Sequence, residues 1–148
     1  MTAGRLLGID HGLVRIGLAV SDASQLVARE LAIIERRSRE EDFERINHFA
    51  HQENVVGIVI GIPSDPDADP DRHTQADTVR LSVERYRATT SLPIVLWDEH
   101  LTSVDAQQLA RQHRRKFRQP IDDLAARLIL QSYLDALRDG LAPSLDSD

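Results

Sequence analysis

The segment Val55-Val56-Gly57-Ile58-Val59-Ile60-Gly61-Ile62 is apolar at every position and mostly β-branched. A strand with one wet face alternates apolar and polar residues. An unbroken apolar run belongs to a strand covered on both faces, as in a parallel sheet with helices on its two sides. Leu92-Pro93-Ile94-Val95-Leu96-Trp97 is a second such run, ended by Asp98-Glu99. Between the two lie a Pro- and Asp-rich loop from Pro63 to Asp71 and a helical pattern from Gln75 to about Thr89, with Val79, Leu81, Val83 and Tyr86 apolar. Strand, helix, strand is the order that builds parallel neighbours.

The N-terminal part reads differently. Leu6–Asp10 and Arg15–Val20 are short apolar runs separated by the turn-like His11-Gly12, which predicts a β-hairpin. A third strand is expected over about Ala28–Ile34. Ser38-Arg39-Glu40-Glu41 fits a helix-starting capping box, with Phe43, Ile46, His48, Phe49 and Ala50 on the apolar side and Asn54 at the close. Ser103 to about Gln112 predicts another helix, followed by a basic loop. Pro120 opens the last helix, which runs to about Arg138 and stops at Gly140. The order β-β-β-α-β-α-β-α-α predicts an α/β fold, a mixed β-sheet flanked by α-helices. The 148 residues suit one domain, here residues 1–140, with 141–148 expected as a flexible acidic tail.

Composition removes several classes of function. The absence of cysteine excludes disulfides, thiolate metal sites and Cys nucleophiles. No apolar run approaches the ~18 residues of a membrane span, and Met1–Arg5 leads straight into a strand-like segment rather than a secretory signal, so a cytoplasmic protein without a membrane partner is expected. The 18 basic and 24 acidic residues leave a net charge of −6. That sum hides a basic cluster, Arg111, Arg114, Arg115, Lys116 and Arg118, and local patches decide binding. Asp65, Asp67 and Asp69 imitate the start of a calcium loop, but its sixth position is Pro70 and its twelfth Ala76, so a solvated loop is expected. His48 and His51 alone are too little for a metal site, and Trp97 reads as a core or half-buried strand aromatic.

Three acids fall where such sheets bind ligands, at the carboxyl ends of strands. Asp10 ends the first strand, Glu99 the last, and Asp122 opens the final helix. Each alone also fits a plainer part: a turn residue, a surface acid, a helix first-turn acid. Carboxylates converging from separate elements suit hard divalent cations, and two such ions can clamp a phosphodiester. In the last helix, Ile121, Leu124, Ala125, Leu128 and Ser132 form one arc, with Asp122 at its margin and Asp123 almost opposite, in solvent.

Gly8-Ile9-Asp10-His11-Gly12 with Arg15-Ile16-Gly17-Leu18-Ala19-Val20-Ser21-Asp22 resembles the opening of the YqgF family, also called RuvX. Val59-Ile60-Gly61-Ile62-Pro63 resembles its central strand, Trp97-Asp98-Glu99-His100-Leu101-Thr102-Ser103 its Asp-Glu-Arg-Leu-Thr-Thr box, and Ile121-Asp122-Asp123-Leu124-Ala125-Ala126 with Ile129–Leu134 its C-terminal helix. The four blocks occur in order from Arg5 to Leu137. His100 stands in place of the family's arginine and Ser103 in place of a threonine.

The resemblance implies a ribonuclease H-like fold and a bacterial nuclease that processes the 5′ end of precursor 16S rRNA, acting as a monomer or homodimer. Its metal-binding carboxylates would be Asp10, Glu99 and Asp122, with two Mg²⁺ or Mn²⁺ ions, Asp10 sharing them. Asp98 could join the metal shell, but adjacent strand residues point to opposite faces, and Glu99 is favoured because its longer side chain reaches further. Arg15 is a candidate phosphate contact or a surface hairpin arginine, and the Arg111–Arg118 cluster would track the nucleic-acid backbone. The alternatives are a Holliday junction resolvase acting on branched DNA and a non-catalytic nucleic-acid-binding module. An actin-like nucleotide-binding protein needs two such domains, and the chain supplies one.

Overall fold

The structure is a computed structural model that describes residues 4–12, 14–63, 74–98 and 121–145. Five strands form one sheet: β1 (Arg5–His11), β2 (Arg15–Ser21), β3 (Ala28–Glu35), β4 (Val55–Ile62) and β5 (Ile94–Asp98), in the order β3-β2-β1-β4-β5. The β1–β2 and β2–β3 pairs are antiparallel, and β4 runs parallel to both β1 and β5. The hairpin and the parallel half expected from sequence are thus joined through β1. Gly12 makes the β1–β2 turn possible, because a Cβ there would stand 2.4 Å from the Arg15 carbonyl oxygen.

Helices α1 (Arg39–Gln52) and α2 (Gln75–Arg87) cover one face, and α3 (Ile121–Arg138) covers the other. The first layer buries Leu7, Ile9, Leu18, Ile58 and Ile60 against Phe43 and Ile46 of α1 and Val79 and Val83 of α2. Tyr86 joins these two helices. Its ring lies 5.2 Å from that of Phe43, its hydroxyl donates to Asn47 Oδ1 at 2.7 Å, and burial pushes its phenol pKa up. The second layer buries Leu6, Ala19 and Val59 against Ala126, Ile129, Leu130 and Tyr133 of α3. Trp97 is half-buried here, edge-on to Tyr133 at 5.5 Å, with its indole N–H donating to Ser132 Oγ at 3.2 Å.

Helix starts follow local chemistry. Ser38 caps α1 by accepting from the Glu41 N–H at 3.2 Å, while its own hydroxyl donates to Glu41 Oε1 at 3.0 Å. The reciprocal capping box lies instead on α2, where Thr74 accepts from the Asp77 N–H and Asp77 from the Thr74 N–H. The α3 terminus is a Schellman turn: Gly140 has φ +74, its N–H reaches Leu137 O at 3.2 Å, and the Leu141 N–H reaches Ala136 O at 2.7 Å.

The expected frayed tail needs correction over 141–145. Tyr133 donates its hydroxyl to Pro143 O, and Ala142 and Leu145 pack on the α3 face of the sheet. Two apolar residues and a carbonyl for the buried phenol hold this stretch down. The helix expected over Ser103–Gln112 and the loop Pro63–Asp71 lie outside the described residues, except Pro63 itself.

Candidate active site

Side chains two apart on a strand share a face. Leu6, Gly8 and Asp10 of β1 therefore face α3, and Leu7, Ile9 and His11 face α1 and α2. Across the sheet, Asp10 is in register with Gly17 of β2 and with Gly61 of β4, and Gly61 with Trp97 of β5. The row holding Asp10 is thus Gly17–Asp10–Gly61–Trp97. With a glycine on either side, no neighbouring side chain of the sheet takes the space beside the carboxylate. The residue itself is half-buried, at the carboxyl edge of the parallel strands.

Helix α3 runs antiparallel to β1, and three contacts fix its level. Gln131 Oε1 accepts from the Ala28 N–H at 2.9 Å, and Ala28 pairs with Ser21, whose Oγ accepts from the Leu6 N–H at 2.8 Å. Arg127 pairs with Glu30 at 3.5 Å, in register through Ala19 with Gly8. Ala126 and Leu130 lie over Gly8 itself, where a Cβ would stand 2.7 Å from Leu130 Cβ and 3.3 Å from Ala126 O.

This geometry corrects the helix phase. Of the arc read from sequence, Ile121-Leu124-Ala125-Leu128-Ser132, only Leu124 is buried among the described side chains. Ala126, Ile129, Leu130, Tyr133 and Leu134 are buried to within 1%, while Ala125, Leu128 and Ser132 are only half-buried. Apolar residues occur nearly all round α3, so periodicity alone could not choose the face. The gap left by Gly8 chose it.

Glu99 and the cluster Arg111, Arg114, Arg115, Lys116 and Arg118 lie outside the described residues. Asp122 belongs to the first turn of α3. Asp98 is described and exposed. Trp97 faces α3, so Asp98 lies on the opposite face from Asp10. Arg15 is exposed at the start of β2, two residues from Gly17, on the same face and edge as Asp10. Among the described residues, no group of three or more His, Asp or Glu side chains forms a metal site. No described helix is long and apolar enough to cross a membrane. Sequence reading missed the pair of glycines flanking Asp10, although both stand inside the motifs it quoted. Their meaning depends on strand register.

The comparisons agree with this frame. A protein of known structure, Thermus thermophilus RuvC in complex with a Holliday junction substrate, superposes with a TM-score of 0.64 over 93% of this chain and 98% of that one, at 16% identity. The fold is therefore the RuvC-like, ribonuclease H-like one, and the matching family and its curated relatives make the class a nuclease, a phosphodiester hydrolase. More closely, residues 4–136 match the model of RuvX, described as a Holliday junction resolvase, and the chain belongs to this family. A "Putative pre-16S rRNA nuclease" of Thermoanaerobacter pseudethanolicus is 40% identical over 136 residues, 89% of this chain and 96% of that protein. A protein of the same name from Syntrophus aciditrophicus is 37% identical over 143 residues, 95% of this chain and 94% of that protein.

Proposed function

We propose that this RuvX-family nuclease is a divalent-metal-dependent endonuclease that cuts precursor 16S rRNA at its 5′ end, in the cytoplasm. The observation that supports the reading is the placement of Asp10, a strand-end carboxylate in register with a glycine on either side. The name shared by relatives that match nearly end to end supports the RNA substrate.

Asp10, Glu99 and Asp122 would hold the ions. The donor set fits the cation, since it is all carboxylate oxygen, which hard Mg²⁺ or Mn²⁺ prefers over nitrogen or sulfur. When bound, such ions lower the pKa of water and offset charge on the leaving oxygen. The chain itself supplies position. Asp10 is pinned by ladders on both sides, and Gly17 and Gly61 leave room beside it for the scissile phosphate. Arg15, on the same edge, orients a neighbouring phosphate, and Arg111, Arg114, Arg115, Lys116 and Arg118 follow the backbone, which positions nucleic acid without reading sequence. Asp98, on the far face, takes no part.

A second reading, cleavage of four-way DNA junctions, is favoured by the family description. Matched precursor rRNA and DNA junctions, incubated with the purified protein in Mg²⁺ or in chelator, separate the two. RNA cleavage that disappears in chelator and in Asp10→Asn, with the circular dichroism of the variant unchanged, is the expected result. Cleavage of junctions but not RNA selects the second reading, and activity that persists in chelator removes the metal.

A further inference from the structure

Behind Asp10, on the opposite face of the sheet, a cavity of about 260 Å³ opens between α1 and α2. The floor is His11, the residue after Asp10, and the walls carry Arg36, Arg39 and Arg85 with the hydroxyl-bearing Thr78 and Ser82. The chain as a whole carries −6, yet three guanidinium groups meet here. Asp42, the acid in the lining, is buried and already engaged. It accepts from the Arg37 N–H at 2.9 Å and pairs with Arg36 at 3.9 Å. Arg36 also donates to Gly12 O at 3.3 Å, which ties the cavity wall to the β1–β2 turn. Arg39 and Arg85 have no carboxylate within ion-pairing distance among the described residues. Ser82 Oγ lies 3.3 Å from His11 Nε2.

We infer that this cavity binds a phosphate group, and that the group is a backbone phosphodiester of the nucleic acid on its way across the carboxyl edge of the sheet. Guanidinium forks and hydroxyls are the donors that match phosphate oxygens. Neighbouring strand residues point to opposite faces, so a strand of nucleic acid cut beside Asp10 needs only to cross the edge at His11 and Gly12 to place another phosphate between Arg39 and Arg85. The inference rests on the nuclease reading above. The shared chemistry, phosphate, could also come from a free nucleotide.

The test uses Arg39→Gln, Arg85→Gln and the double variant, which keep helix-compatible exposed side chains. Inorganic phosphate titrated in chelator, with no metal to recruit it to the carboxylates, is expected to move the amide resonances of Arg39 and Ser82, and the double variant to abolish the shift. In cleavage assays the double variant should raise KM more than it lowers kcat. The slope of log affinity against log salt should fall by roughly 0.7 per lost contact to a single strand, or 0.9 to a duplex. An unchanged KM and salt slope overturns the backbone assignment. If, in addition, a nucleoside monophosphate binds the wild type and not the variant, the occupant is a free nucleotide instead. Wild-type protein that fails to cut any substrate counts against the nuclease reading, whereas a wild type that cuts and a double variant with the same slope counts only against the cavity.

Discussion

Asp10 on β1 stands in register with Gly61 on β4, across a parallel ladder in which Gly61 in turn faces Trp97 on β5. The β4 position beside the Asp10 carboxylate therefore carries no side chain.

Helix α3 touches the sheet over Gly8, and Gly8→Ala should show how closely. The added Cβ meets Leu130 Cβ and the Ala126 carbonyl, neither of which can swing away. Thermal unfolding should report a loss of about 1–3 kcal/mol, the usual result of overpacking, and cleavage should fall with it because α3 carries Asp122. Leu130→Ala keeps the offending Cβ and should not rescue the variant. A Gly8→Ala protein as stable and active as wild type would remove the close approach.

Two neighbouring acids open α3. Asp122→Asn is expected to reduce cleavage as severely as Asp10→Asn, since the proposed mechanism gives both carboxylates the same ions to hold. Asp123→Asn, one turn before the Glu30-paired Arg127, should cut at close to the wild-type rate. Single-turnover rates for the pair decide it. Equal losses in both would overturn the choice of Asp122 over Asp123.

Residues 141–145 contribute to stability. Deleting 141–148 removes the packing of Ala142 and Leu145 and the acceptor for Tyr133. A cost of roughly 2 kcal/mol is expected from one partly buried leucine and one hydrogen bond, lowering Tm by ~2–4 °C per kcal/mol. An unchanged Tm in scanning calorimetry would return this stretch to a frayed tail.

Asp22 sets an acid-side dependence. Its carboxylate accepts from Ser24 Oγ, from the Leu26 N–H at 2.8 Å and from the Val27 N–H at 3.1 Å, and these bonds, that from Ser24 foremost, hold its pKa down to about 2. A depressed carboxylate stabilises the fold above its unfolded pKa, and that contribution is lost as pH falls toward the folded value. Denaturant midpoints between pH 4 and pH 2 should therefore fall more steeply for wild type than for Asp22→Asn, which has no proton to take up at this position. Parallel curves would show that the β2–β3 turn does not depend on the charge.

The apolar run Val55–Ile62 and the Leu6–Val20 hairpin were legible because their information is local: β-branched residues, a Gly turn and uninterrupted hydrophobicity identify strands wherever they finally sit. Asp10 was legible for the same reason, as the acid that ends such a strand. Burial in α3 was not, since an 18-residue helix with apolar residues on most sides can turn several faces inward. Nor was the tail, because Ala142 and Leu145 follow the Gly140 stop and show no periodicity that says what they pack on.

By itself, then, the sequence determined that strands would alternate with helices around a buried parallel core, that acids would stand at strand ends, and which family the motifs resemble. Tertiary structure decided what lies beside those acids. Strand register set glycines on both sides of Asp10, and the hole at Gly8 set the face and level of α3. The same packing gathered Arg36, Arg39 and Arg85 behind His11. Each of these depends on residues far apart in the chain meeting at fixed spacing, and hydrophobic periodicity, which reports only neighbours along one element, carries no record of such meetings.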